Sequence, residues 1–137
     1  MRKALLTTIV VVIAALAAGS VAAKQKTVAG DWTLSIENLP LHLVFTQKGH
    51  MLAGTLDYPH GSPFRLKGAF ADGKVTFSGD SAGQNFTVHM DATGSLTADG
   101  ALTGTINAHF VDLDDAHKVV RTRDQQIPWT AVRVPKK

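Results

Sequence analysis

The sequence predicts an all-β protein: a single up-and-down antiparallel β-barrel of about eight strands, with one short helix or loop before the last strand. Three observations predict it. The stretch Gly30-Asp31-Trp32-Thr33-Leu34-Ser35-Ile36 alternates strictly, with Trp32, Leu34 and Ile36 on one face and Asp31, Thr33 and Ser35 on the other. Downstream, the same alternation returns between turns marked by glycine, Asp72-Gly73 being the strongest hairpin signal. A meander of that length closes on itself most simply, because closure removes both exposed edges.

Residues 1–23 are read apart from the body. Arg2 and Lys3 precede an apolar run from Ala4 to Ala18, and Val21-Ala22-Ala23 supplies small residues for cleavage. The run is shorter than the roughly 20 apolar residues a transmembrane helix needs, so it reads as a cleaved secretory signal of bacterial type. Residues 24–137 are then one β-barrel domain, secreted or periplasmic, with no membrane span after cleavage. Arg2 and Lys3 belong to the 14 basic residues of the chain, which leaves 12 against 11 acidic ones. So near-neutral a body offers no clustered cationic surface for nucleic acid. With no cysteine in 137 residues, disulfide staples, thiol catalysis and thiolate metal sites are excluded.

The first strand runs from about Asp31 to Glu37. Asn38-Leu39 turns the chain, and Leu41, Leu43 and Phe45 continue the inward face. Lys48-Gly49 reads as a two-residue turn that pairs Phe45 with Leu52. The third strand turns Leu52, Gly54, Leu56 and Tyr58 inward, and the fourth Phe64, Leu66, Gly68 and Phe70. Across Asp72-Gly73, Phe70 pairs with Val75 and Gly68 with Phe77. Residues 78–83 read as a polar loop. A sixth strand from near Asn85 points Phe86, Val88 and Met90 inward. The three-residue loop Ala98-Asp99-Gly100 then leads to a seventh strand carrying Leu102, Gly104, Ile106, Ala108 and Phe110. That register sets His89 opposite His109 on the outer face. Residues 111–126 break the alternation: acids at 112, 114 and 115 precede bases at 118, 121 and 123, an order that suits a short helix or, failing that, a polar hairpin extension. Ile127, Trp129, Ala131 and Arg133 share the last inward face. The glycines of Leu52-Ala53-Gly54-Thr55-Leu56, Leu66-Lys67-Gly68-Ala69-Phe70 and Leu102-Thr103-Gly104-Thr105-Ile106 point to strong bending and to close approach of an aromatic ring.

Gly30-Asp31-Trp32 near the start of the body resembles the Gly-x-Trp motif of the calycin superfamily, the lipocalin, fatty-acid-binding and avidin-like barrels. Those barrels carry a basic residue on the last strand that packs over the first-strand tryptophan, and Arg133 is similar in character and facing. The resemblance implies an eight-stranded barrel with Gly30, Trp32 and Arg133 as its structural signature. The chain is shorter than secreted lipocalins and lacks their cysteines. It also lacks the polar ligand-binding constellation of avidin-like barrels, since its inward face offers Tyr58 and two indole N–H groups.

Chemistry is sparse. No serine has a nucleophile-elbow context, and the carboxylates fall on outward or loop positions, so no catalytic residue and no cofactor is expected. His89 and His109, with Asp91 on the same face, are the only candidates for a metal, set against a solvated cross-strand pair. The 112–115 acids lack the pattern of a calcium loop. The expected function is binding without catalysis, with Phe45, Leu56, Tyr58, Phe64, Phe77, Phe86 and Met90 as interior contacts to a small hydrophobic ligand. The alternative is a filled barrel that binds another envelope protein or a polymer through its exterior.

Overall fold

The computed structural model describes residues 27–135. Residues 1–23, expected to be a secretory signal, lie outside them. Eight antiparallel strands follow in order: β1 (Gly30–Ile36), β2 (Leu39–Lys48), β3 (Met51–Leu56), β4 (Phe64–Ala71), β5 (Lys74–Ala82), β6 (Phe86–Leu96), β7 (Leu102–Leu113) and β8 (Val119–Arg133). Each pairs with its sequence neighbours, and β8 returns to β1 through Trp32↔Arg133 and Leu34↔Ala131, which closes the barrel. Side chains on the inward parity are apolar and buried, while the outward parity carries Thr33, His42, Arg65, Lys67, Asp91 and Asp124. That is the reverse of the polarity of a membrane-spanning barrel, whose outer band is apolar.

Turn chemistry sets the register. At Asp72-Gly73 both residues have positive φ (55° and 75°), and the pairs Phe70↔Val75 and Gly68↔Phe77 follow as expected. The three-residue loop 98–100 is also present: Thr97 N–H donates to Ala101 C=O at 2.7 Å and Gly100 has φ 90°. It delivers the pair His89↔His109.

Three expectations are corrected, and one open choice is decided. The β1–β2 turn is Glu37-Asn38, one residue earlier than Asn38-Leu39, because Glu37 and Asn38 take the two positive φ values (49° and 69°) and Ile36 pairs with Leu39. The β2–β3 turn is Gly49-His50 rather than Lys48-Gly49. Gly49, at φ 63°, occupies the first turn position, and Phe45 pairs with Gly54 instead of Leu52. The register moves by two residues, so every side chain keeps its face. Residues 78–82 are strand, not loop. Their inward positions hold small residues, and the one buried polar group, the Ser81 hydroxyl, donates to the Ser62 carbonyl at 2.5 Å. Residues 111–126 form no helix and take the alternative, a polar hairpin extension. They extend the β7–β8 hairpin past the barrel wall, and the acids and bases meet across it: Asp112 pairs with Arg121 in register and accepts from Arg121 Nε at 3.0 Å and Arg123 Nε at 3.2 Å.

The barrel's closed end is densely filled. Trp32 is fully buried and its Nε1–H donates to Val28 C=O at 2.8 Å. Arg133 lies over the Trp32 ring, its guanidinium carbon 4.5 Å from the centroid, and donates to the carbonyls of Ala29 and Thr27 at 2.9 and 2.8 Å. The segment before β1 is thereby strapped across the barrel floor. Above it, Phe45, Phe77 and Trp129 stack edge to face, with centroids 5.3 and 5.6 Å apart. Gly94 makes room for them: a Cβ there would stand 2.7 Å from Trp129 Cζ2 and 2.8 Å from the Thr103 carbonyl. Across the ladder, a Cβ on Gly104 would meet the Thr93 carbonyl at 1.8 Å. Both uses of in-strand glycine, tight bending and approach of an aromatic ring, are therefore present.

Candidate functional site

The other end of the barrel is open. The turn at Glu37-Asn38, the 59–63 loop and the base of the β7–β8 extension surround a cleft of about 420 Å³, within the usual size of small-molecule sites. Leu41, Leu56, Phe64, Met90 and Ile106 make its floor and walls, each buried because it sits on the inward parity of its strand. Half-buried Ile36, Tyr58, Phe110 and Ile127 form the upper wall, and Glu37, His60 and Gln125 reach the rim.

Tyr58 is the main polar group of the wall. It follows β3 and is gripped by rings on three sides: Phe64 at 5.5 Å, His60 at 5.6 Å and Phe86 at 6.2 Å between centroids. Burial raises its phenol above the ordinary value of 10.0, against a smaller lowering by the Arg123 charge. The hydroxyl therefore stays protonated at neutral pH, a neutral donor beside an apolar cleft. Arg123 stacks on the Phe110 ring at 4.7 Å while bonded to Asp112, so the hairpin extension is tied to the cleft wall by a cation over a ring and a carboxylate behind it. Hydrogen bonds from Arg123 first, then from Arg121, hold the Asp112 carboxyl below its ordinary value of 3.8.

Of the interior residues expected from sequence, the fold brings Leu56, Tyr58, Phe64 and Met90 to the cleft. Phe45 and Phe77 lie below it in the filled layer, and Phe86 stands behind Tyr58 without lining the space. Sequence reasoning placed Phe110 and Ile127 on inward faces without assigning them to a site. It missed Glu37, Leu39, His60 and Gln125 as rim residues. Reading 111–126 as the hairpin extension would have carried Phe110 and Gln125 to the mouth, since Ala108 pairs with Gln125 and Ile106 with Ile127.

On the outer face, His89 Nδ1 lies 2.7 Å from Asp80 Oδ1 and its Nε2 3.3 Å from Asp91 Oδ2. The Asp80 hydrogen bond, with Asp91 adding to it, raises the His89 imidazole above its ordinary value. His109 Nδ1 lies 2.6 Å from Asp124 Oδ1. Among the described residues no three such donors already converge as a metal cage.

No family model matches this chain, and no curated protein matches it. Solved structures do. The chain is similar to intact afifavidin in its apo form, at 15% identity and a TM-score of 0.53, over 81% of this chain and 85% of that one. It is also similar to apo short afifavidin at 15% identity and a TM-score of 0.49, over 77% and 96% of the two chains. At that identity the likeness to intact afifavidin is one of fold alone.

Proposed function

We propose that the protein is a noncatalytic binding barrel that takes a small apolar molecule at its open mouth. The observation that carries this reading is the 420 Å³ cleft itself, walled by Leu41, Leu56, Phe64, Met90 and Ile106 in a barrel whose other end is filled. The walls favour an acyl or aromatic body held by shape, and the Tyr58 hydroxyl offers one donor to a polar end. The avidin-like fold supports the reading as a scaffold that can hold a small ligand inside eight strands. The signal-like residues 1–23 support a secreted or periplasmic setting, with the mature domain beginning at residue 24.

A fluorescent naphthalene probe tests the reading. Saturable uptake, abolished by Met90→Trp with the fold intact by circular dichroism, is the expected result. The competing reading is a filled barrel that works through its exterior on an envelope protein. It draws on Val119 and Val120, each 61% exposed on the β8 side of the extension. Absence of probe uptake, with loss of a partner on Val120→Asp, would favour it.

A further inference from the structure

The solvent-facing outer wall carries an arrangement the cleft does not use. The register pairs Asp80 with His89, His89 with His109 and His109 with Asp124, so four side chains form one line across β5, β6, β7 and β8. Two residues along the same face, Asp91 pairs with Asn107. His89, His109, Asp91 and Asn107 are thus the corners of an outward square on β6 and β7, and all four border a surface concavity of about 500 Å³.

The contacts give each corner a role. Asp80 faces His89 Nδ1 at 2.7 Å and Asp124 faces His109 Nδ1 at 2.6 Å. A carboxylate accepts, so each Nδ1 carries a proton, and each Nε2 is the nitrogen that can turn to a ligand. Carboxylates set metal-binding imidazoles in the same way. His89 Nε2 lies 3.3 Å from Asp91 Oδ2, a gap that the proton of the imidazolium spans. A divalent ion can take that proton's place between the nitrogen and the carboxylate. The spacing also suits one: ligands about 2.0–2.1 Å from a tetrahedral ion stand roughly 3.3 Å apart. His109 projects from the position directly across the ladder, where opposed side chains are about 5 Å apart at Cβ.

We propose that His89, His109 and Asp91 form a surface site for a divalent transition ion of zinc's chemistry, with Asp80 and Asp124 as positioning residues. Imidazole and carboxylate donors suit zinc better than calcium or magnesium, which take oxygen ligands alone. The site closes on its ion rather than waiting as a cage, and side chains exposed by 47% and 48% at His89 and His109 turn at little cost. His42 has two aspartates nearby, Asp31 and Asp57, but faces Thr33 across the ladder and lacks a second imidazole.

Isothermal titration of the untagged protein with zinc chloride tests the proposal. One ion per chain should bind. His89→Gln and His109→Gln should each weaken it at least about tenfold, and Asp80→Asn and Asp124→Asn by about 10-fold to 100-fold. His42→Gln should leave it unchanged. A second readout is independent of heat: zinc should move the imidazole nitrogen resonances of His89 and His109 and leave those of His42 in place. No uptake, or uptake unaltered by His89→Gln and His109→Gln in folded variants, would overturn it. Uptake that His42→Gln removes would overturn it equally.

Discussion

The two ends of this barrel are built from the same alternating strands and do opposite things. At the floor, Trp32, Phe45, Phe77 and Trp129 occupy the axis, and Arg133 straps residues 27–29 across the outside. At the mouth, the inward residues are smaller or stand back, and the axis is left as a cleft. Side-chain volume accounts for the difference. Two indoles and two edge-to-face phenyl rings fill an eight-stranded barrel, whereas Leu56, Met90, Ile106 and Ala108 do not. The floor supplies stability and the mouth supplies space.

Removing volume from the floor should hurt most. Trp32→Ala is expected to cost about 3–5 kcal/mol in chemical denaturation, from lost burial plus the cavity left behind. A cost no larger than that of a mouth substitution would break the comparison. Adding volume to the floor should come next. Gly94→Ala forces a methyl against the Trp129 ring and the Thr103 carbonyl, and about 1–3 kcal/mol of overpacking strain is expected by the same measurement. The corresponding change at the mouth, Ala108→Val, meets the open cleft and should cost less than Gly94→Ala.

Tyr58→Phe sharpens the comparison further. The hydroxyl is not in the filled core, so the substitution should change stability at pH 7 by no more than about 0.5 kcal/mol. Its pH dependence is more telling. The folded phenol titrates above the unfolded value of 10.0, so its contribution is fully present below pH 10 and is lost as pH rises through the folded value. Thermal melts of the natural protein should fall in that alkaline range more steeply than those of Tyr58→Phe. The smallest effect is expected at Asp112. Its carboxyl is held low in the folded state, so its pairing with Arg121 and Arg123 is intact above pH 3.8 and is lost as pH falls through the folded value. Proton resonances at the β7–β8 tip should shift in that acid range while the floor stays unchanged.

Much of this fold was legible in the sequence because alternation reports facing directly. Trp32, Leu34, Phe45, Phe70 and Val75 could be set inward without knowing any contact, and closure followed from the run of short hairpins. Faces survived even where a turn was misplaced. At Gly49 the register moved by two, an even number, so no inward residue became an outward one. What composition hid was strand made of polar residues. Residues 78–82 read as loop because serine, glycine and aspartate dominate them, yet Ser81 is satisfied by the Ser62 carbonyl and the strand persists. The acids and bases of 112–123 read as the two ends of a helix or as a hairpin extension, because their order along the chain is the same in both structures. Only pairing across a hairpin distinguishes them. The cleft was the least legible feature, since whether inward residues fill an axis depends on their heights along the barrel. Leu56 and Phe77 both point inward, but only Leu56 reaches the mouth.

Methyl-resolved NMR during titration with a naphthalene probe tests the division of the barrel most directly. The account predicts saturable shifts at the Met90, Ile106 and Leu56 methyls of the mouth, with Leu43 and Leu102 of the floor unmoved. Shifts confined to the floor, or none at saturating probe, would contradict it.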